Sequence, residues 1–447
     1  MTEPAKRIAI VGGGFSGAML AARLAEAGLA SVLINATPDF GLGVAYSTNF
    51  EGHLLNVRSG RMSAVEGRPN DFVQWLEANR PEHADPDDFA PRKVYGAYVR
   101  DRLAETEAAH PGLIERVIGR VAAIEADSVR LEDGREIPAV AVVLATGNPA
   151  PATASAGDKT GGDKAAASRI IPDPWAPGAL DRIEPKDSVL IIGTGLTMVD
   201  MIQSLVARGW KGQATALSRR GLTPRPHARL ADQPASLDAE ALDGPISRRL
   251  SAARRIACRS DCASGWRGVM EAYRPITADL WIRADADQRA RMVRHLRPWW
   301  DVHRHRIAPR IGEALDALKA GRRLTIHAGR LGKVETDADS VWAGWTPRHG
   351  GTPAPINAGW LIDCTGPAHS AATDPLTAPL IASGRARLDP LRLGLDLDAS
   401  GRVLHADGAA DPRLFVLGPP ARAAFWETIA VPDIRKRIED LIAGLKG

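Results

Sequence analysis

The 447-residue chain predicts an α/β fold of two parallel-sheet domains carrying a helical insertion. Three observations support that reading. Arg7 to Gly28 (RIAIVGGGFSGAMLAARLAEAG) joins a short apolar run to Gly12, Gly14 and Gly17 in the spacing G-x-G-x-x-G, and an alanine-rich, helix-favouring segment follows. Ser188 to Gly209 (SVLIIGTGLTMVDMIQSLVARG) repeats that stretch at a constant offset of 181 residues, so Gly12, Gly14 and Gly28 fall on Gly193, Gly195 and Gly209. Between Pro245 and Arg310 the chain turns helical and arginine-rich, with fifteen Arg, six Asp or Glu and no Lys.

Each repeat reads as strand, glycine turn and helix, the Rossmann-like dinucleotide-binding unit. Its first glycine permits the tight turn and its second lets the backbone approach a pyrophosphate. The third lets helix and strand pack closely, while the helix N-terminus offers free N–H groups and a positive dipole end. In the second repeat Met198 replaces the third glycine, which implies looser helix–strand packing.

Composition is that of an ordinary globular protein, 45% hydrophobic and 25% charged, long enough for two or three domains. A net charge of +4 argues for neither nucleic-acid nor membrane binding by the whole chain. No apolar stretch approaches the roughly 18 residues needed to span a bilayer, nothing resembles a cleavable leader, and a cytoplasmic location is expected. The three cysteines, Cys258, Cys262 and Cys364, make no disulfide framework. No second Cys or His pair at metal spacing accompanies them, and no metal is expected.

The first unit runs on into a second strand, Ser31 to Asn35. A dinucleotide site usually ends this strand in an acid that holds a ribose hydroxyl. Here the position holds Asn35, an amide that can hydrogen-bond but lacks the charge. Phe40 to Ala64 is rich in glycine and small polar residues without clear period, a length more often functional than idle. Asp71 to Asn79 and Val94 to Ala109 predict amphipathic helices. Val140 to Pro149 is a buried-type strand ending in Thr146-Gly147, either a close-approach turn for a ligand or an ordinary one. Pro149 to Ser168, low-complexity Ala, Gly, Ser and Lys, reads as a mobile linker.

After the second unit, the strand Ala214 to Leu217 ends in Ser218-Arg219-Arg220-Gly221. Two arginines where an NAD site carries an acid suit the 2′-phosphate of NADP, the alternative being a solvated basic turn. The insertion's formal +9 suggests an anionic cofactor or substrate. Within it, RPWWDVHRHRIAP (Arg297 to Pro309) places two tryptophans beside His303, Arg304, His305 and Arg306. These could line a substrate or nicotinamide channel, or simply anchor a helix. Leu324 to Ala343 reads as short strands. Thr365-Gly366, in WLIDCTGP, answers Thr146-Gly147, and Leu414 to Arg437 is a strand, a Gly418-Pro-Pro turn and a helix that would close the first domain over its cofactor.

Together these features predict a two-dinucleotide oxidoreductase. FAD is expected in a first domain of residues 1–150 and 355–447. NADPH is expected in an inserted domain of residues 186–354, which carries the helical insertion 245–310 and follows a linker over 151–185. The chain resembles the bacterial FAD/NAD(P)-binding protein family that lies near the class B flavin monooxygenases. The pieces that carry the resemblance are GGGFSG, GVAYS, HLLNVRSGRMSA, DPW at 173–175, IIGTGLTMVD, SRRG, WWDVHRHRIAP, DCTGP and FWETIAVPDIR.

The resemblance implies FAD contacts at Gly12, Gly14, Gly17, Asn35, Asn56, Thr146, Gly147 and Gly418. It implies second-nucleotide contacts at Gly193, Gly195, Ser218, Arg219 and Arg220, and the repeated T-G pair adds Gly366. The chain departs from the pattern at Asn35 and lacks an F-x-G-x-x-x-H-x-x-x-W stretch before Trp175, which argues against ketone oxygenation. Residues 1–257 hold no cysteine, which argues against a dithiol relay. The expected activity is that of a monooxygenase acting through a C4a-(hydro)peroxyflavin on a small molecule. An NADPH:acceptor reductase and a non-catalytic nucleotide sensor are the alternatives. Catalytic residues, substrate and oligomeric state are not written in the sequence.

Overall fold

The computed structural model describes residues 7–148, 169–366 and 370–446; the expected linker from Pro149 to Ser168 lies outside them. Two sheets dominate. In the first, the strand order is Arg402–Leu404, Ala410–Val416, Ala141–Leu144, Ile8–Val11, Ser31–Asn35, Ile114–Ile118. All neighbours run parallel except the outermost pair at Arg402. The central strands IAIV and AVVL are apolar at every position because both faces are covered.

Alternation along the central strand sorts its side chains between two cores. Ile8 and Ile10 face the helices Phe15–Glu26, Arg92–Ala109 and Val431–Lys446. Ala9 and Val11 face the other way, onto Ile124, Val129 and Leu131 of a small antiparallel sheet and onto Leu395 and Val416. The C-terminal helix is pinned to the first helix by Arg23, whose Nε donates to Glu439 Oε1 at 2.7 Å.

The second sheet repeats the plan, in the order Ile356–Ala358, Val341–Pro347, Leu324–Thr336, Ala214–Ser218, Val189–Ile192, Trp360–Asp363, Ile170–Ile171. Val189 and Ile191 pack under the helices Leu196–Ala207 and Pro309–Ala320. Leu190 and Ile192 meet an antiparallel ribbon through Val334, Val341 and Ala343. Met198, in the place of the third glycine, is fully buried.

Three boundaries differ from expectation. Trp360–Asp363 pairs with Val189–Ile192, so the second domain runs past residue 355 to the Thr365-Gly366 turn. A strand closes its hydrogen bonds in the sheet its own apolar residues cover, and periodicity alone does not say which of two sheets that is. Ile170–Ile171 joins the same sheet and Leu180 its core, so the later part of the expected linker belongs to the second domain. Leu324–Thr336 is one long strand, irregular in register between Leu331 and Val334, in place of short pieces. The insertion is helical as expected, with helices Ile246–Ala257, Gly265–Tyr273, Thr277–Arg283, Ala286–Arg291 and Arg297–Arg304.

Candidate dinucleotide sites

The two glycine turns are near copies in space. Gly12 has φ +110° and Gly193 φ +106°, a region L side chains rarely adopt. A Cβ on Gly12 would lie 2.4 Å from the carbonyl oxygen of Ala145, and one on Gly193 2.3 Å from that of Cys364. Each turn therefore abuts the neighbouring parallel strand just before its T-G pair, Thr146-Gly147 or Thr365-Gly366. Gly17 sits against Gly12, where an added Cβ would fall 1.9 Å from the Gly12 oxygen.

Gly14 and Gly195 occupy the N-cap positions of the helices Phe15–Glu26 and Leu196–Ala207. Neither helix has a side-chain cap or an acid in its first turn. Uncapped first-turn N–H groups and an unopposed positive dipole end form a donor set that fits a phosphate. Nothing lies within 4 Å of a Cβ on Gly195, while Gly14 faces the backbone of Gly43. The Phe40–Ala64 loop is thus laid over the first turn, and Gly41 N–H donates to the Gly13 carbonyl at 2.7 Å.

Asn35 explains its own departure from an acid. Its Oδ1 accepts from Gly13 N–H at 3.1 Å, and its Nδ2 donates to the Thr37 carbonyl at 2.9 Å. A carboxylate could make the first bond but would repel the Thr37 oxygen. Asn56 is half-buried; its carbonyl accepts from His227 Nε2 at 3.0 Å, and its side-chain amide has no partner among the described residues. Thr146 is exposed, and open space surrounds Gly147 and Gly366. Gly418, at φ +78°, approaches the first helix so closely that a Cβ would lie 2.6 Å from Ser16 Oγ. The C-terminal segment therefore packs against the start of the first helix.

At the second site Ser218 Oγ lies 2.8 Å from Thr194 Oγ1 and accepts from Gly221 N–H at 3.0 Å, which fixes the turn after the strand. Arg219 is exposed and Arg220 half-buried, and neither guanidinium is engaged with another described residue. Both are free for an anion.

The four insertion residues are placed differently from the channel reading. Arg304 and Arg306 are 6% and 2% exposed. Arg306 pairs with Asp232 at 2.7 Å and with Glu271, while Arg304 lies 3.3 Å from Asp433 and 3.5 Å from Glu427. They are buried structural cations that join the insertion to its neighbours, a use that a run of charges in a sequence does not disclose. His303 Nδ1 lies 2.7 Å from the Trp299 carbonyl and its ring meets Trp266 edge-on. His305 is half-buried, 3.9 Å from Glu427.

Burial raises the Glu271 carboxyl, yet Arg274, Arg306 and Arg61 together outweigh it and hold the group down to about 2. Burial, reinforced by Arg306, pushes His227 down to about 3, and it also lowers His53, His303 and His305. A histidine kept neutral in the fold but protonated when unfolded removes stability as pH falls below its unfolded value near 6.5. Melting temperature should therefore decline as pH falls from 6.5 through 5. His227→Gln should flatten that decline; an identical pH profile in the variant would refute the assignment.

Residues that motif reading missed lie in two places. Arg92 forks onto Asp200 at 2.9 and 3.2 Å, tying the helix Arg92–Ala109 to the helix Leu196–Ala207. His53 spans the same junction, 2.8 Å from Thr48 Oγ1 and 2.9 Å from Ser204 Oγ. The second place is Trp426–Thr428, between the Gly418 turn and the C-terminal helix. Trp426 Nε1 and Thr428 Oγ1 are buried without a hydrogen-bond partner among the described residues, and Trp426 has φ +60°. The only signal in the sequence was the unusual run FWETIAVPDIR itself.

Among the described residues no helix is long and apolar enough to cross a membrane, and no cluster of His, Cys, Asp or Glu is placed to hold a metal ion. Residues 9–149 match the family described as FAD-NAD(P)-binding. No curated protein sequence matches the chain. Among solved structures, the ornithine N-hydroxylase of Kutzneria sp. 744 superposes with TM-score 0.65 at 15% identity, over 99% of each chain. The L-lysine 6-monooxygenase of Pseudomonas syringae gives 0.65 at 17%, again over 99% of each chain. The cadaverine monooxygenase of Erwinia amylovora, solved with FAD, gives 0.67 at 15%, over 100% of this chain and 95% of its own. At such identities the likeness is one of fold. Residues 9–149 are thus similar to an FAD/NAD(P)-binding domain, and the whole chain shares the fold of these solved monooxygenases.

Proposed function

We propose that this protein is an FAD-dependent, NADPH-using monooxygenase of a small molecule. The carrying observation is the duplicated glycine turn, each copy opening onto an uncapped helix N-terminus within one chain. Bound FAD supplies hydride acceptance from NADPH and, once reduced, reaction with dioxygen. The protein supplies position and exclusion of water. First-turn N–H groups after Gly14 and Gly195 hold the two pyrophosphates. The free amide of Asn56 and the orphaned Thr428 hydroxyl offer hydrogen bonds at the first site. Arg219 and Arg220 offer two guanidinium forks to the 2′-phosphate. The amine oxygenations named for the structural neighbours, of ornithine, lysine and cadaverine, are carried out on this same fold.

The arginine assignment has a direct check. A charge-assisted hydrogen bond is worth about 1.5–3 kcal/mol. Arg219→Ser with Arg220→Ser should therefore raise the KM for NADPH by roughly 30-fold or more and leave that for NADH unchanged. Equal losses with both nucleotides would assign the pair to folding.

The activity itself is tested by loading the protein with FAD, supplying NADPH and oxygen, and counting hydrogen peroxide against NADPH consumed over a panel of amines, thioethers and carboxylic acids. Oxygen transfer predicts peroxide below one per NADPH with an accepted compound and an oxygenated product. One peroxide per NADPH with every compound, together with rapid turnover of an artificial electron acceptor, would move the protein to the reductase class.

A further inference from the structure

The arginine-rich insertion lines an apolar pocket of about 190 Å³, partly open to solvent, between its helices and the C-terminal segment. An engineered apolar cavity of ~150 Å³ is already large enough to hold a benzene ring. Leu250, Leu280 and Met292 give an aliphatic wall, and Trp281, Trp300 and Trp426 an aromatic one. Trp281 and Trp426 are stacked at 4.7 Å between ring centroids. The first two indoles of the wall are satisfied: Trp281 Nε1 donates to the Ala423 carbonyl at 2.8 Å and Trp300 Nε1 to Glu427 Oε1 at 2.6 Å. The third is not. Trp426 is 2% exposed, its Nε1–H has no acceptor among the described residues, and its backbone is held at φ +60°. A π-helical turn, Met292–Leu296, builds one side of the cavity, a backbone irregularity frequent at functional sites.

The charged groups on the wall are of one sign, and Tyr273, Thr277 and Gln288 are its neutral polar side chains. Arg249 and Arg289 line the cavity and no Asp or Glu does. Arg289 is spent on the carbonyls of Trp281 and Ile282. Arg249 is half-buried, and its guanidinium has no hydrogen bond or ion pair with any described residue. An apolar, aromatic-lined pocket with one unspent guanidinium suits a ligand with an apolar body and a single anionic group.

We propose that this cavity binds an apolar monocarboxylate, held by Arg249 at its charged end and by the indoles along its body. On the oxidoreductase reading above, on which its role as substrate rests, Trp426 is the link to the first nucleotide site, because its own segment packs against the start of the first helix. An ammonium group has no counter-charge on this wall and is disfavoured.

The test is calorimetric titration of the FAD-loaded protein, without NADPH, with 3-phenylpropanoate, 3-phenylpropanol and 3-phenylpropylamine. Saturable binding is expected, with the carboxylate at least tenfold tighter than the amine. Arg249→Gln should remove that preference and leave the alcohol unaffected, while Ala253→Phe, which fills the cavity, should block all three. Absent saturable binding, an amine bound as tightly as the carboxylate, or binding untouched by a folded Ala253→Phe protein would overturn the proposal. If Ala253→Phe fails to fold, the partly exposed Arg249→Gln decides. Failure of NADPH to reduce the flavin would refute the oxidoreductase reading while leaving these titrations interpretable.

Discussion

Gly193→Ala is expected to abolish NADPH-driven flavin reduction while leaving FAD in place. The added Cβ would lie 2.3 Å from the Cys364 oxygen, at a φ of +106°. Backbone strain of this kind costs roughly 1–3 kcal/mol before the clash is relieved. Relief has to come from moving the turn off the strand Trp360–Asp363, and with it the helix N-terminus that would hold the pyrophosphate. Losing about 3 kcal/mol of nucleotide binding corresponds to roughly 100-fold in rate at low NADPH. The first turn belongs to a different sheet, so flavin content and reduction by dithionite should be unchanged. Gly12→Ala should give the reverse, a colourless protein. Undiminished NADPH reduction in Gly193→Ala would remove the second site from the mechanism.

Arg306→Ala is expected to have the largest effect on stability. Arg306 is 2% exposed and sits between Asp232 and Glu271, themselves 9% and 7% exposed. Glu271 also takes Arg61, which reaches it from the glycine-poor end of the Phe40–Ala64 loop in the first domain. Removing Arg306 leaves the buried Asp232 without its ion-pair partner, while Glu271 keeps Arg61 and Arg274, a loss of about 3–5 kcal/mol by analogy with other broken buried pairs. Calorimetry should show the melting temperature falling by several degrees. Adding Asp232→Asn to the variant should recover part of the loss, because a neutral amide needs no counter-charge. A melting curve that overlays the wild type would show the network to be idle.

What the sequence disclosed, and what it did not, follows from the range of the interactions. The glycine turns, the repeat at offset 181 and the Gly418 turn are local: a positive φ, a close approach and a helix start are each encoded within a few residues. The T-G pairs were legible for the same reason, and Cys364 and Ala145 turn out to hold equivalent places beside Gly193 and Gly12. Asn35 was legible as a position but not as a choice, since its partners, Gly13 N–H and the Thr37 carbonyl, come from different turns. Arg304 and Arg306 read as free charge because their partners lie 35 or more positions away in sequence. The strand Trp360–Asp363 was assigned to the wrong sheet because both sheets accept a buried parallel strand ending in T-G. Trp426 to Thr428 lie in FWETIAVPDIR, which the resemblance picks out as a run without giving these residues a role, because unsatisfied polar atoms exist only once the chain is folded around them.

The measurement that bears most directly on the account is an anaerobic titration of the FAD-loaded protein with NADPH and, separately, NADH, following the visible flavin band. The two-site reading predicts one FAD per chain, complete bleaching by one equivalent of NADPH, and much slower reduction by NADH, since Arg219 and Arg220 then have no 2′-phosphate to hold. A protein that retains no flavin, or one whose flavin NADPH leaves oxidised while dithionite reduces it, would contradict it.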